Sequence, residues 1–298
     1  MPLESAPRGK PLKAFVLTYH SHHCLGTEYH LNDHLALAVD LASITRAGHR
    51  IVPLSRIVDR LLARRSADAA GDAGDVAEAA WVALTFDDGP VYDLDDFVHP
   101  LLGRQRGFAG LMQDFAATAQ GARQPELAAT SFVIASPEAR RVMETTYDTE
   151  YTYLGAGSMG DAWWERAAAT GLLAIGNHSW DHLHPALARV AHSKQARADF
   201  AQVLTVADAD AQIAAAARFI AQRTGGRAAP YFAYPFGHSN DFLTADYFPQ
   251  RGSAAGIRAA FTTEPREVRP DDSVWRLPRL TCGHHWKTPA ALTDILSS

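Results

Sequence analysis

Residues 81–90 have the sequence WVALTFDDGP, a short apolar run that stops abruptly at two acidic residues. The run is β-prone and is followed by a Gly-Pro turn signal, so it predicts a buried strand over 81–86. Asp87 and Asp88 then stand at the carboxyl end of that strand. The same pattern occurs earlier in the chain, where the apolar run 14–19 ends at His20.

Predicted strands and helices alternate along the rest of the chain. Further strands are predicted at 49–54, 130–135, 172–176, 259–262 and 274–280, and helices are predicted to begin near Asn32, Ser55, Asp161 and Thr288, with a long alanine-rich helix ending at 225–226. Such alternation favours a parallel sheet with crossover helices, either an open doubly wound sheet or a closed barrel. Parallel α/β folds gather their chemistry at the carboxyl ends of the strands. The polar residues that end separate strands are therefore expected to share one rim, namely His20, Asp87, Asp88, His178 and 234–236.

The composition is that of a folded globular protein. Of the 298 residues, 47% are hydrophobic and 20% are charged, which indicates a packed core and excludes a disordered chain. We expect a single domain over 1–298, with a flexible surface loop at 66–80, where Ala, Asp and Gly dominate. The net charge of -5, without any long block of Lys and Arg, argues against nucleic acid as a partner.

The sequence contains no pattern typical of export or membrane insertion. The first residues lack a basic segment followed by an apolar stretch, and no apolar run reaches membrane-spanning length. We therefore expect a cytoplasmic protein without a membrane span. Cys24 and Cys282 are too few for a disulfide framework, so both are expected to be free thiols.

Histidine is the unusual component of this chain. There are 14 histidines against two cysteines, and most of them lie in short clusters, which indicates metal or proton-transfer chemistry. His178 and His182 are four residues apart in the sequence NHSWDH, so one turn of helix would place both on the same side. Two imidazoles and a carboxylate form a three-ligand set that leaves positions open on a metal, as a catalytic site requires.

Two of these motifs resemble those of the polysaccharide deacetylases, also called the NodB-homology carbohydrate esterases. The sequence TFDDG at 85–89 matches the first motif of that family, and HSWDH at 178–182 matches its His-Ser/Thr-x-x-His motif. Weaker similarity extends from 17–20 to 277–279. The resemblance implies a distorted (β/α) barrel with one divalent metal, usually zinc, although Ni2+, Co2+ or Fe2+ are alternatives. It also implies roles: Asp88, His178 and His182 would hold the metal, and Asp87 would be the general base acting on water.

The third family motif, Arg-x-Pro-Tyr, is altered here to AYPFG at 233–237. Ala233 occupies the position of the Arg that normally orients the catalytic aspartate, so either another cation such as Arg279 substitutes or Asp87 is positioned differently. Phe236 aligns with the Tyr whose backbone N–H stabilises the oxyanion in the family. A backbone donor survives a change of side chain, so the same role is expected of Phe236.

The acid that protonates the departing amine is also altered. Most family members use a His within a Leu-x-His pattern near the carboxyl end, where this chain has LPR at 277–279. In a branch that deacetylates poly-N-acetylglucosamine, the acid comes from an N-terminal Tyr-His, and LTYH at 17–20 resembles that arrangement. His20 is therefore favoured as the acid, with His284 as its rival.

Several aromatic and histidine residues are candidates for substrate binding. More chain lies within 136–162 than a simple crossover requires, and its tyrosines, Tyr147, Tyr151 and Tyr153, fit either a substrate lid or a structural insertion that fills core. The candidate substrate-binding residues are Tyr234, Trp163, Trp286 and His284. A second group, His22, His23, Cys24, His30 and His34, suggests another metal site, but it is more typical of loop and helix-face residues.

The sequence therefore predicts a metal-dependent hydrolase that removes an N-acyl group from an amino sugar or glycan. Acetyl is the favoured acyl group. One alternative is a hydrolase of another amide, such as a formamido sugar or a cyclic imide, because the same barrel serves those reactions. A different alternative is a catalytically silent barrel that binds glycans, which the altered third motif suggests. In each case the partner is a carbohydrate or small amide, and the sequence sets no oligomeric state.

Overall fold

The computed structural model describes residues 13–70, 80–146 and 152–298. Its strands, numbered along the chain, are β1 (Lys13–Tyr19), β2 (Arg50–Ile51), β3 (Ala80–Phe86), β4 (Phe97–His99), β5 (Gly103–Gln105), β6 (Ala129–Val133), β7 (Leu173–Asn177), β8 (Tyr231–Ala233), β9 (Ala259–Phe261) and β10 (Leu280–Thr281). Eight of them form one parallel sheet in the order β10-β1-β3-β6-β7-β8-β9, with β2 paired to β3, while β4 and β5 form a separate antiparallel hairpin.

The sheet curls until its two edges approach each other. Leu17 of β1 lies opposite Leu280 of β10 on one side and Leu84 of β3 on the other. At the far edge, the N–H of Thr262 donates to the carbonyl of Leu277 at 2.8 Å, just before β10 begins. The chain between β9 and β10 therefore connects both edges, and the predicted distorted (β/α) barrel is confirmed.

The helices are α1 (Asp33–Arg46), α2 (Leu54–Ala70), α3 (Phe108–Ala116), α4 (Pro137–Thr146), α5 (Trp164–Thr170), α6 (Val206–Ala209), α7 (Ala215–Arg223), α8 (Phe248–Arg251) and α9 (Pro289–Ser297). The first begins as predicted, because the Asn32 side chain accepts hydrogen bonds from the first free N–H groups of α1. Thr288 caps α9 in the same way. Among the described residues, no helix is both long and apolar enough to cross a membrane.

Some predicted elements differ from the structure for identifiable reasons. The strand predicted at 49–54 is reduced to β2, since Pro53 has no N–H to donate and α2 already begins at Leu54. Only Leu280 of the predicted strand 274–280 belongs to a strand, and Pro278 interrupts that run. Helix α2 continues to Ala70 and β3 starts at Ala80, so the predicted loop 66–80 is wrong at both ends, and 71–79 lie outside the described residues.

The core lies on both faces of the sheet. Leu17 belongs to the same buried cluster as Leu41 of α1, whereas its neighbour Val16 belongs to a cluster with Phe132 and Phe261 from other strands. Burial on both faces explains why the strand sequences are continuous apolar runs rather than alternating ones. Polar side chains are thereby displaced to the strand ends.

Candidate active site

A cavity of about 720 Å³ opens at the carboxyl ends of the strands. Seven of the residues predicted for the site line this cavity: His20, Asp87, Asp88, His178, His182, Phe236 and His284. They come from the ends of four strands and from the chain after β10. The expectation that separate strand ends meet at one rim is therefore confirmed.

Three buried side chains form a group that could hold a metal ion. The ligand atoms of Asp88, His178 and His182 all lie within 4.8 Å of one another. Asp88 Oδ1 is 3.6 Å from His178 Nε2 and 3.7 Å from His182 Nε2. The predicted helical turn between the two histidines is wrong, because Ser179 and His182 have left-handed backbone angles, with φ of 72° and 60°. A tight loop brings the imidazoles together instead.

The two imidazoles are oriented differently. His178 Nδ1 lies 2.9 Å from the carbonyl of Ala233, so Nδ1 carries the proton and the Nε2 lone pair is directed into the site. Ala233, which lacks the side chain of the family arginine, thus contributes through its backbone. Nδ1 of His182 is buried and has no hydrogen-bond partner in the described part of the chain. Burial, and then His178, lower the pKa of His182 well below its ordinary value, which favours the neutral form that binds metals.

The two adjacent aspartates converge on one point. Asp87 Oδ2 lies 3.9 Å from His178 Nε2, close to the Asp88 contact with the same nitrogen. The backbone allows this convergence, because Asp88 lies beyond β3 with a left-handed φ of 71°. Gly89 follows with φ 74°, and a Cβ there would lie 2.5 Å from Val133 Cγ1. The Asp-Gly turn, rather than the strand pleat, therefore sets the geometry.

Arg279 occupies the place left open by Ala233. Its Nη1 and Nη2 atoms donate to the two carboxylate oxygens of Asp87, each at 2.8 Å, and its Nε donates to the carbonyl of Thr262 at 3.0 Å. The side chain is fully buried. Burial alone would raise the pKa of Asp87, but Arg279 outweighs it and, with smaller contributions from His178 and His20, holds that pKa well below its usual range. Of the two options for the altered motif, substitution by Arg279 is the one observed.

His22 was missed by the sequence analysis, which assigned it to a loop. Its Nε2 lies 3.2 Å from Asp88 Oδ2, and the side chain is buried. The signal for it was weak, because several neighbouring histidines share the same stretch of sequence. Only the turn after β1 distinguishes His22, which contacts Asp88, from His23, which pairs with Asp33 at 2.8 Å.

Three residues predicted to bind substrate do not line the cavity. Tyr234, Trp163 and Trp286 are at most 1% exposed and pack in the core, so they offer no surface to a ligand. Trp286 donates instead to Tyr29 at 2.9 Å. Apolar bulk in this chain was a stronger signal for core than for sugar binding.

The predicted insertion reaches the cavity at one described position. Thr152 lines the cavity, and the Tyr153 ring lies 4.2 Å from that of His99 on the β4–β5 hairpin. Tyr147 and Tyr151 lie outside the described residues, and α4 occupies 137–146 of the insertion. Its function as a lid stays a prediction.

Phe236 is 40% exposed beside His182, at a ring distance of 4.4 Å, and has a left-handed φ of 57°.

Comparisons with known proteins identify the family and the fold. The family model for polysaccharide deacetylases matches residues 75–247. The Streptococcus pyogenes deacetylase PplD, solved in complex with acetate, has 14% identity and a TM-score of 0.58, covering 96% of this chain and 99% of its own. IcaB from Ammonifex degensii has 19% identity and the same TM-score, covering 98% and 99%. The BpsB deacetylase domain from Bordetella bronchiseptica has 15% identity and a TM-score of 0.52, covering 93% and 98%.

These structures share the fold over 93–98% of the chain, which is more than the matched family segment covers. A comparison with curated proteins found no match. The matched family segment covers more than half of the chain and contains both aspartates and both histidines of the site. The chain therefore belongs to the polysaccharide deacetylase family.

Proposed function

We propose that this protein is a metal-dependent hydrolase that removes the acetyl group from the nitrogen of an amino sugar in a glycan. The observation that carries the proposal is the pairing of two different carboxylates. Asp88 lies in a buried group of potential metal ligands, while Asp87 beside it is neutralised by Arg279. A hydrolase of this kind needs one acidic residue to hold a cation and another to accept a proton.

The residues present fit a divalent metal. Asp88, His178 and His182 supply one oxygen and two imidazole nitrogens, the donor set typical of catalytic zinc, and three protein ligands leave positions open for water and substrate. The hydrogen bond from His178 to Ala233 is the kind of outer contact that fixes a ligating imidazole. A divalent cation held there lowers the pKa of water and polarises the acyl carbonyl.

The protein side chains then divide the proton transfers between them. Asp87, kept ionised by Arg279, accepts the proton of the attacking water, and the backbone N–H of Phe236 stabilises the oxyanion. His20 gives a proton to the departing nitrogen as the C–N bond breaks, so that the products are acetate and a free amine. His20 and His284 both line the cavity, but only His20 is among the groups that lower the pKa of Asp87, with a smaller contribution than Arg279 and His178, and this supports His20 as the acid.

A single domain over 1–298 is part of this proposal. The acid comes from the end of β1 and the arginine from the start of β10, and both lie outside the matched segment 75–247. The two strands pair directly, Leu17 with Leu280, so the terminal parts of the chain complete the barrel and the site together.

The test is a product screen with mass detection. Protein stripped with chelator and reloaded with Zn2+, Ni2+, Co2+ or Fe2+ is incubated with N-acetylglucosamine oligomers, formamido sugars and cyclic imides. We expect metal-dependent release of acetate from the oligomers. Hydrolysis of the imides or formamides alone, or glycan binding without any product from the loaded protein, would contradict the proposal.

A further inference from the structure

The turn that follows β1 is fixed by contacts from two other parts of the chain. The Asp33 carboxylate, at the start of α1, accepts from the His20 N–H at 2.7 Å and pairs with His23 Nδ1 at 2.8 Å. From the other side, the Tyr153 N–H donates to the His22 carbonyl at 2.7 Å. Backbone held this firmly presents its side chains in defined directions, and the side chain of His22 extends to the metal group.

The contact of His22 distinguishes the two oxygens of Asp88. His22 Nε2 lies 3.2 Å from Oδ2, whereas Oδ1 is the oxygen that faces His178 and His182, at 3.6 and 3.7 Å. His22 itself does not belong to the group whose ligand atoms could surround one ion. His22 therefore contacts the carboxylate oxygen that is not the one facing the two ligand nitrogens.

A buried imidazole beside a carboxylate is stabilised only when it presents an N–H to an oxygen. His22 is 3% exposed, and its Nε2 lies 3.2 Å from Asp88 Oδ2. The tautomer with its proton on Nε2 presents an N–H to Asp88 Oδ2.

We propose that His22 is a positioning residue for the metal site: its Nε2–H donates to Asp88 Oδ2 and directs Oδ1 at the point shared with His178 and His182. The inference rests on the proposed metal site and adds a hydrogen bond that orients its ligand Asp88. Outer hydrogen bonds of this kind orient the ligand and restrict the carboxylate to one coordinating oxygen, and their loss typically weakens metal affinity by about 10- to 100-fold.

The test is a metal-affinity measurement on the full chain, by competition of Zn2+ with a chromogenic chelator. We expect His22→Leu to weaken affinity by about 10- to 100-fold. His22→Gln, whose amide nitrogen reaches the position of Nε2, should retain most of it, and His22→Asn, which is too short, should not. His30→Leu is the matched control, because His30 lines the same cavity with a half-exposed side chain that pairs with Glu28.

The outcomes separate this inference from the proposed function. If the native protein binds no metal, the proposed function itself fails. If the native protein binds metal and His22→Leu binds it within about twofold, only the role of His22 is refuted. Absorption spectra of the Co2+ forms test for direct ligation: an unchanged spectrum in His22→Gln supports positioning, whereas loss of intensity equal to that in His22→Leu would make His22 a ligand instead. Should His22→Leu fail to fold in a thermal melt, the Gln and Asn pair decides the question by the same affinity measurement.

Discussion

Asp87 and Asp88 are adjacent in the sequence, equally buried, and placed in opposite electrostatic surroundings. Asp87 receives two hydrogen bonds of 2.8 Å from a buried guanidinium, so the protein itself balances its charge. Asp88 has only imidazoles as ion-pair partners among the described residues, at 3.2 to 3.7 Å. The charge of Asp87 is balanced by a side chain of the protein, whereas Asp88 is arranged as a ligand for a cation.

This difference shows how one dipeptide can supply two chemical roles. Arg279 comes from the start of β10, and the imidazoles around Asp88 come from the turn after β1 and the loop after β7. The left-handed backbone of Asp88 is what allows both sets to reach adjacent side chains. Two changes to these surroundings test whether the roles are as separate as the geometry indicates, and a third buried carboxylate elsewhere in the protein provides a comparison.

The largest effect is expected from His20, which we place on the Asp87 side. His20→Ala should lower kcat by about a hundredfold to ten-thousandfold, the usual contribution of a positioned acid, while metal content stays at the native level. His284→Ala should change kcat by less than about tenfold, because general acid catalysis is not expected of it. A pH–rate profile of both variants, with metal analysis, is the measurement. Loss of the alkaline limb in His284→Ala but not in His20→Ala would reverse the assignment.

A slightly smaller effect is expected from removing the partner of Asp87. Arg279→Met leaves a buried carboxylate without its cation, which typically destabilises a fold by about 3–5 kcal/mol. Because burial is then opposed only by the smaller contributions of His178 and His20, the pKa of Asp87 should rise, and the acidic limb of kcat/KM should move to higher pH. Urea unfolding and pH–rate measurements check both points. Arg279→Lys, which keeps the charge but not the two-pronged contact, should fall between the native protein and Arg279→Met. An unmoved acidic limb in Arg279→Met would show that Asp87 does not depend on this arginine.

The smallest effect concerns a third buried carboxylate, away from the cavity, whose partners are all uncharged. Asp40 accepts hydrogen bonds from Tyr19, Tyr29 and Trp286, and burial raises its pKa to about 6 in spite of them. Since this pKa is higher than in the unfolded chain, the stability that Asp40 contributes is fully present below about pH 4 and is lost as pH rises through about 6.

Asp40→Asn should remove this loss. Between pH 4.5 and 7, the variant should gain roughly 2 kcal/mol in unfolding free energy relative to the native protein. Urea unfolding at several pH values is the measurement, and the difference between the two proteins cancels the groups that they share. Parallel stability curves would show that uncharged donors hold a buried carboxylate as well as Arg279 does.

The sequence predicted the barrel and the composition of the site better than it predicted local geometry. The apolar runs before His20 and Asp87 were sufficient to locate two strands, because parallel strands are buried on both faces and leave polar residues only at their ends. Local propensity did not indicate the left-handed turns at Asp88 and Ser179, since only tertiary contacts hold non-glycine residues in that conformation.

Contacts between distant parts of the chain were the hardest to predict. Arg279 was considered as a substitute for the missing family arginine because of its charge, but its partner was decided by the pairing of β1 with β10. The sequence does not distinguish His22 from the histidines around it, because the turn after β1 decides which of them contacts Asp88. Trp163 and Trp286 were misassigned because aromatic side chains occur both at sugar-binding surfaces and in cores, and only burial separates the two.

The central claim is that Asp88 holds a metal and Asp87 accepts a proton, and it is tested most directly by exchanging each for its amide. Elemental analysis and acetate release are measured on Asp87→Asn and Asp88→Asn, with thermal melts to confirm folding. We predict that Asp87→Asn retains one divalent metal per chain and loses about a hundredfold to ten-thousandfold in turnover, whereas Asp88→Asn loses the metal. Native metal content in Asp88→Asn, or near-native turnover in Asp87→Asn, would contradict the account.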